Sequence, residues 1–319
     1  MNFLYTINNN FFEKLVVSLA SLVKSSDKKM TVYVICDDIT FKNKVRLEKF
    51  NSILVNIILL DSPSISKNLI PDRGSASQFY RLRIGEIFED INIEKLLYLD
   101  ADTIIVGSVE EIFNIDIGNN VIGATVDPWS ASYRKLLHIN TDAAMLNSGV
   151  LLINVKKWKM DKIDNGIRRI VKGRSDFIQG DQGLLDQFFN GHFFILAPKY
   201  NMISSYYELT DFELRVFRKP YIFYDKGTID ESKRNPVVIH FTSSFMNNRP
   251  WYEGSKHQYK DLWLSQYKEI YGQSFSQLKR PNSFGYLVYK TFPKRVSLSI
   301  LKFLQNTVRP IFFKLKDRK

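Results

Sequence analysis

The chain has 319 residues, 45% hydrophobic and 24% charged, which is typical of a folded protein and excludes a disordered chain, a collagen and a multi-span membrane protein. Its one cysteine, Cys36, excludes an internal disulfide and a Cys-x-x-Cys metal site and fits a reducing cytoplasm. The net charge of +12 lies mostly in the segment 279–319, which holds eleven basic residues and one acid; subtracting this +10 leaves about +2 for the rest.

Taken in chain order, short β-branched and aromatic runs alternate with segments of helical periodicity. Strands are predicted at 3–7, 30–36, 55–60, 95–100, 121–126, 149–154, 193–196 and 237–241. Helices are predicted at 11–22, 41–50, 78–88 and 181–189. This order indicates an α/β fold with a mostly parallel sheet flanked by helices, and ligands at the carboxyl ends of the strands.

The pattern changes to aromatic and basic helical segments beyond about Trp251. We place a domain boundary near Gln273, with the main domain at 1–273 and a basic amphipathic extension at 274–319. Apolar residues of the extension fall on one helical face and are flanked by cations: Val296, Ile300, Phe303, Leu304, Val308 and Ile311, with Lys302, Arg309, Lys314, Lys316, Arg318 and Lys319. No stretch reaches the roughly 18 apolar residues that a spanning helix needs. The extension is therefore expected either to dock on an anionic membrane surface or to pack on the main domain.

Asp100-Ala101-Asp102 follows a buried strand, and in an extended chain residues i and i+2 project to the same side. Bare Asp-x-Asp is weak evidence, because solvated turns are also rich in Asp. Two converging carboxylates repel each other, however, and a bound cation offsets this repulsion most simply. His240 ends a later strand, where a structural histidine is the commoner interpretation. Together the three side chains form an O/O/N set that suits Mn²⁺ better than Mg²⁺.

Seven short motifs occur in a specific order: 6–10 (TINNN), 77–82 (SQFYRL), 98–103 (YLDADT), 123–127 (GATVD), 147–154 (NSGVLLIN) with Lys157-Trp158, 180–182 (GDQ) and 238–241 (VIHF). In order and spacing they resemble glycosyltransferase family 8, which includes glycogenin and the bacterial lipopolysaccharide galactosyl- and glucosyltransferases. The resemblance covers roughly residues 1 to 255. Any one motif is weak, but seven in order are specific.

The resemblance implies a GT-A fold, with 1–273 as its catalytic domain, a UDP-sugar donor, Mn²⁺ with Mg²⁺ as the alternative, and retention of the anomeric configuration. It places the metal ligands at Asp100, Asp102 and His240. The implied donor-binding positions are Asn8, Asn10, Arg81, Asp100, Ala101, Asp102, Asn147 and Arg249, and those at the reacting sugar are Asp127, Asp181 and Gln182. Relatives follow the last ligand with His-x-x-Gly-x-x-Lys-Pro-Trp. Here the segment 240–251 is three residues longer and lacks the glycine, and Arg249 stands for the phosphate-binding lysine.

Several of these side chains also have ordinary structural interpretations. Asn8 and Asn10 are the implied uracil and ribose contacts, although relatives usually have Asp at the first position. Arg81 either binds a phosphate or a carboxylate or lies on an exposed helix face. Asp127, before a proline, is either a sugar ligand or a turn former, and Asp181 is either a sugar ligand or a helix N-cap.

The predicted function is transfer of a hexose, glucose or galactose, from a UDP-sugar to a cell-envelope glycan, lipid-linked saccharide or glycoprotein, on the cytoplasmic side. A nucleotide-sugar pyrophosphorylase is the nearest enzymatic alternative, but Asn8-Asn9-Asn10 is not the glycine-rich phosphate loop that it would carry. A basic nucleic-acid-binding protein is the alternative from another class. Because the positive charge is confined to the extension, which could equally bind a membrane, no nucleic-acid partner is expected. A sugar-binding module without turnover is the third alternative.

Overall fold

The computed structural model describes residues 1–64, 69, 71, 75–140, 142–172 and 177–316, with the backbone alone described for 314–316. Of the cations predicted to flank the apolar face of the extension, Arg318 and Lys319 lie outside the described residues, as do the side chains of Lys314 and Lys316.

The strands form two sheets. They are β1 (Asn2–Thr6), β2 (Met30–Ile35), β3 (Val55–Leu60), β4 (Lys95–Leu99), β5 (Thr103–Ile105), β6 (Ile122–Val126), β7 (Leu146–Asn154), β8 (Phe194–Ile195), β9 (Met202–Ile203) and β10 (Val238–His240). The larger sheet has the order β3-β2-β1-β4-β7-β6-β8, and only β7 runs antiparallel to its neighbours in it. The smaller sheet has the order β5-β10-β9. The predicted α/β class with a mostly parallel sheet is thus confirmed.

Helices lie between the strands and after the last of them. They are α1 (Phe12–Lys24), α2 (Phe41–Glu48), α3 (Ile84–Ile87), α4 (Glu110–Phe113), α5 (Val155–Met160), α6 (Ile163–Val171), α7 (Gly180–Phe189), α8 (Ser205–Glu208), α9 (Asp211–Arg218), α10 (Lys226–Arg234), α11 (Lys260–Tyr271), α12 (Phe284–Thr291), α13 (Lys294–Phe303) and α14 (Arg309–Lys316). The helix predicted at 78–88 is instead a 3₁₀ segment, Ala76–Arg83, continued by α3. Most of that segment is buried, so its apolar pattern does not distinguish the two helix types.

Strand β4 shows how the core is organised. Its sequence KLLYL alternates between the two faces of the sheet, as expected for successive residues of a strand. Leu97 and Leu99 pack with α1 on one face, whereas Leu96 and Tyr98 pack with α5 and α7 on the other. Full burial of each such side chain contributes about 1.5–3 kcal/mol of transfer free energy. A strand covered on both faces is rigid, and it fixes the position of the acidic residues that follow it.

The smaller sheet brings the end of β10 to the end of β4. Strand β10 pairs antiparallel with β5, with His240 opposite Thr103. The backbone N–H of Phe241 donates to the carbonyl of Asp102 over 2.8 Å, which fastens the same two segments together. A residue more than 130 positions away in the sequence therefore lies beside the Asp100–Asp102 segment.

The C-terminal extension packs on the main domain. Val288 of α12 and Leu298 and Leu301 of α13 are buried in one apolar cluster with Trp251 and Trp263. Beyond α13, a π-helical turn (Leu304–Val308) supplies backbone and side-chain hydrogen bonds to the main domain. Much of the predicted apolar face nevertheless points to solvent: Val296, Phe303, Val308 and Ile311 are exposed. In the part of the chain that the structure describes, no helix is both long enough and apolar enough to cross a bilayer. The domain boundary near Gln273 stays a prediction.

Candidate active site

The three predicted metal ligands meet where β4 ends. One ligand atom from each of Asp100, Asp102 and His240 lies within 4.8 Å of the others. His240 Nε2 is 3.2 Å from Asp102 Oδ1 and 3.6 Å from Asp100 Oδ2. Asp102 and His240 are buried, so the carboxylates are held close together in a poorly solvated place. Oxygen and imidazole ligands at this separation fit a divalent cation.

The two carboxylates converge in a turn, whereas the sequence predicts that the extended end of a strand brings them together. Asp100–Asp102 is a turn between β4 and β5, not the extended end of a strand. The Asp100 N–H donates to the Gly149 carbonyl over 2.8 Å, and the Thr103 hydroxyl donates back to the Asp100 carbonyl over 2.8 Å. These bonds hold the turn closed, so the alternation of an extended chain is not what aligns the side chains. Ala101, at the centre of the turn, is buried.

Two arginines bind the outer oxygens of the same carboxylates. Arg81 Nη2 donates to Asp100 Oδ1 over 2.7 Å, and Arg249 Nη2 donates to Asp102 Oδ2 over 2.8 Å. Each carboxylate therefore presents one oxygen to a guanidinium and the other to the imidazole of His240. Arg81 is buried, not on an exposed helix face. Burial alone would lower the pKa of Arg81, but Asp100 and Asp181 raise it above its usual value, so the side chain stays charged.

Glycine at position 149 leaves room for the imidazole. Gly149 lies in β7 beside the metal ligands, and a Cβ there would be 2.1 Å from His240 Cε1 and 3.0 Å from Asp100 Oδ2. No real Cβ is found so close to another heavy atom, so a side chain here would displace His240. The space between β7 and the turn is thus shaped for the imidazole, and it supports the fit of the three residues to a cation.

Hydrogen bonds connect the predicted sugar-binding side chains to one another or to Ser148 beside this cluster. Asn147 Nδ2 donates to Asp127 Oδ2 over 2.7 Å. Ser148 donates from its hydroxyl to Asp181 Oδ2 over 3.0 Å and from its backbone N–H to Gln182 Oε1 over 3.3 Å. Burial raises the pKa of Asp127 above its ordinary value. Asp181 lies inside the first turn of α7 and not at its N-cap position.

Asn8 and Asn10 follow β1, the strand next to β4 in the sheet. Asn8 Oδ1 accepts a hydrogen bond from the Phe11 N–H over 3.2 Å and so caps a short 3₁₀ turn, Asn9–Phe11. Asn8 is half-buried and Asn10 is exposed. Both residues lie near the carboxyl edge of the sheet, where Asp100 also lies, but they are not part of the hydrogen-bonded cluster around the carboxylates.

Sequence reasoning missed two polar contacts of the cluster. The sequence places Tyr98 in a buried strand and in the 98–103 motif but predicts no contact for its hydroxyl, which donates to Asp100 Oδ1 over 2.7 Å. Asn201 was not singled out, yet its Oδ1 lies 2.9 Å from His240 Nδ1. A tyrosine in an apolar run is an ordinary core residue, and a single asparagine in a loop carries no periodic signal. Only the tertiary structure reveals these two roles.

The site thus consists of an Asp/Asp/His cluster, able to hold a metal ion, at the carboxyl edge of β4 in a mostly parallel sheet. The chain belongs to Glycosyl transferase family 8, whose family model matches residues 2–254. It is therefore a glycosyltransferase and not a nucleotide-sugar pyrophosphorylase.

The chain is similar in sequence or in fold to several known proteins. General stress protein A of Bacillus subtilis is 21% identical to this chain over 83% of it and 92% of the relative. The lipopolysaccharide 1,2-glucosyltransferase of Escherichia coli is 23% identical over 91% of this chain and 86% of the relative. The crystal structure of the galactosyltransferase LgtC, in complex with donor and acceptor sugar analogs, aligns with a TM-score of 0.69 and 20% identity over 85% of this chain and 96% of that one. That likeness confirms the predicted GT-A fold.

Proposed function

We propose that the protein is a metal-dependent, retaining hexosyltransferase that moves glucose or galactose from a UDP-sugar to a cell-envelope glycan, lipid-linked saccharide or glycoprotein. The observation that carries the proposal is the convergence of Asp100, Asp102 and His240 in a chain of this family. The names of the similar proteins, a lipopolysaccharide glucosyltransferase and a galactosyltransferase, support a hexose donor and a glycan acceptor.

Asp100, Asp102 and His240 would hold the cation, Mn²⁺ with Mg²⁺ as the alternative. When bound, the cation neutralises the charge that develops on the departing UDP. Arg249 contacts the outer oxygen of Asp102 and lies close enough to the cluster to reach a donor phosphate. Arg81 holds Asp100 in place from the other side.

The remaining donor contacts follow the same edge of the sheet. Asn8 and Asn10 would bind the uracil and ribose, and Ala101 and Asn147 complete the donor-binding set. The amide oxygen of Asn8 caps the 3₁₀ turn by accepting from the Phe11 N–H, which leaves the NH₂ group to donate to a base carbonyl. Asparagine can both donate and accept, so it suits the neutral uracil edge.

At the reacting sugar, Asp127 and Asp181 would accept hydrogen bonds from hydroxyl groups. Gln182 would lie on the face opposite the leaving group. A carboxamide is a poor nucleophile, so a covalent intermediate on Gln182 is disfavoured. We favour front-face transfer, in which the Gln182 amide dipole stabilises the positive charge that develops at the anomeric carbon.

Gln182→Ala should lower kcat by about 10²-fold with little change in donor affinity, because the amide dipole matters most in the charged transition state. Steady-state kinetics with a UDP-hexose give kcat and KM separately. Gln187→Ala, a change of the same chemistry in the same helix, is the control and should leave both unchanged. A loss confined to KM in the Gln182 variant would assign this residue to ground-state binding alone.

A screen of nucleotide sugars tests the proposed donor. Purified protein with Mn²⁺ should hydrolyse or transfer from UDP-glucose or UDP-galactose, and GDP- and CMP-sugars should be poor substrates. Release of UDP is the measurement, with and without EDTA. Turnover that prefers a GDP- or CMP-sugar would contradict the uracil assignment, and turnover unaffected by EDTA would contradict the metal.

The extension is the second part of the proposal: it docks the enzyme on the cytoplasmic face of the membrane. Val296, Phe303, Val308 and Ile311 are exposed although apolar. The cations Arg295, Lys302 and Arg309 are also exposed beside them. Each basic residue near an anionic surface contributes about 1 kcal/mol. The exposed side chains can enter the interface while Leu298 and Leu301 stay in the core, so packing and docking are compatible.

Replacing both Val296 and Phe303 by Ser should abolish most binding to vesicles of phosphatidylglycerol while donor hydrolysis is kept, because it removes exposed apolar area without opening the core. Co-sedimentation at low and high salt is the measurement, and salt should release the wild-type protein. A matched variant, Phe41→Ser with Ile53→Ser, changes two exposed apolar residues of the main domain and should still bind. Equal pelleting of both variants would rule out docking through the extension.

A further inference from the structure

Asn201 is a buried residue that connects the proposed metal site to the proposed sugar site. It follows a short 3₁₀ turn, Pro198–Tyr200, and precedes β9; only 1% of it is exposed. Its Oδ1 lies 2.9 Å from His240 Nδ1. Its Nδ2 lies 2.7 Å from Asn147 Oδ1 and 3.0 Å from Thr125 Oγ1. Both the oxygen and the NH₂ group of the Asn201 side chain thus have hydrogen-bond partners in the core.

The direction of these hydrogen bonds can be derived from a backbone group. The Gly149 N–H can only donate, and it lies 3.0 Å from Asn147 Oδ1, so this atom is an acceptor. The Asn147 Nδ2 then faces Asp127, consistent with a carboxylate acceptor. The atom of Asn201 that faces Asn147 Oδ1 must in turn be its NH₂ group. The Asn201 oxygen is left to face His240.

The hydrogen bond between Asn201 Oδ1 and His240 Nδ1 determines which imidazole nitrogen carries a proton. Because an amide oxygen can only accept, the Nδ1 atom of His240 must carry a proton. Its Nε2 atom faces Asp102 and Asp100, on the side where the cation is proposed. Only a nitrogen without a proton can bind a metal, and Nδ1 is already protonated, so Nε2 is the ligand atom.

We propose that Asn201 is a positioning residue that fixes the orientation and the tautomer of His240 so that Nε2 is the metal ligand. The inference rests on the proposed metal site for its purpose, but the protonation of Nδ1 follows from the hydrogen bonds alone. Outer contacts of this kind typically change metal affinity by about 10–100-fold.

Asn201→Ala should weaken Mn²⁺ binding, measured in the presence of UDP by electron paramagnetic resonance of free Mn²⁺, by about 10–100-fold. Asn201→Asp keeps an oxygen for the Nδ1 proton and should recover most of that affinity, even though it loses the donors to Asn147 and Thr125. Asn120→Ala removes an asparagine whose side chain donates to the Ile117 carbonyl, away from the site, and should leave the affinity unchanged. Equal affinity in the Asn201→Ala and Asn120→Ala variants would overturn the positioning role.

The tautomer is measured directly on the wild-type protein, so the test stands even if the Asn201→Ala variant does not fold. The chain has four histidines, and long-range ¹H–¹⁵N correlation of protein labelled with ¹⁵N-histidine resolves each ring nitrogen. His240 Nδ1 should carry a proton in the metal-free protein. An unprotonated Nδ1 would overturn the proposal, since it requires the opposite amide orientation. A wild-type protein that binds no Mn²⁺ would instead contradict the proposed function and leave the tautomer result to decide the role of Asn201.

Discussion

Asp102→Asn should lower kcat for hexose transfer by at least about 10³-fold, a loss of roughly 4 kcal/mol of transition-state stabilisation. The Asp102 carboxylate faces His240 Nε2 through one oxygen and accepts from Arg249 through the other. An amide in its place removes a unit of negative charge and puts an NH₂ group beside either a cation or the Arg249 guanidinium. Donor and UDP affinity should fall as well, because the cation joins the diphosphate to the protein. Asp100→Asn should behave in the same way.

Asp27→Asn is the control for this change, since Asp27 is an exposed acid between α1 and β2. It should leave kcat and UDP affinity at wild-type values. Enzyme dialysed against EDTA should lose turnover and regain it with added Mn²⁺. Full activity of the Asp102→Asn variant would show that this carboxylate is not a metal ligand.

Gly149→Ala should lower kcat by about 10²-fold, because a small displacement of a group that orients the reaction can cost this much. The added Cβ would lie 2.1 Å from His240 Cε1 and 2.6 Å from Nδ1. Strand β7 cannot move away easily, because the Gly149 carbonyl and Val150 are both paired with the β4 side of the sheet. The imidazole must therefore shift, and Mn²⁺ affinity should fall together with kcat.

Gly123→Ala is the matched control. Gly123 lies in the neighbouring strand β6, and a Cβ there would meet side-chain carbons of Ile117 and Leu196 at 3.2–3.5 Å. This contact is tight but remote from the imidazole, so thermal stability should fall slightly while Mn²⁺ affinity is kept. Wild-type Mn²⁺ affinity in the Gly149→Ala variant would mean that the imidazole is not confined by β7.

The sequence predicted the central strands because each forms its own local pattern. After Lys95 the strand KLLYL is apolar or aromatic, and it is followed at once by an acid, so both the strand β4 and the site at its end could be recognised. The turn at Asp100–Asp102 could not be predicted from local pattern, because it is stabilised by a carbonyl of Gly149 on a different strand. The pairing of β10 with β5 is likewise a contact between segments far apart in sequence.

In the C-terminal extension, too, the local sequence pattern did not predict which side chains contact the main domain. Helical periodicity marked Val296 and Phe303 as one apolar face, and both are exposed. The face that packs on the main domain instead contains Leu298 and Leu301, which are two positions and one position away, respectively, from residues of the predicted face. A helix with apolar residues on two sides has two possible inner faces, and the shape of the surface that receives it decides between them.

Asn201 was beyond sequence reasoning for a chemical reason. An asparagine is as common in exposed turns as in buried networks, and nothing in the segment PKYNMI marks it as buried. Its role depends on three partners from β6, β7 and β10. Such a residue is identified only when the directions of its hydrogen bonds are followed from one donor to the next.

The central claim, metal-dependent transfer with retention, is tested most directly by ¹H NMR of UDP-hexose turnover by the wild-type protein. With Mn²⁺ and water as the acceptor, the first sugar released should have the α configuration of the donor, before mutarotation. The same sample with EDTA should show no release. Initial release of the β-hexose, or release at an equal rate with EDTA, would contradict the account.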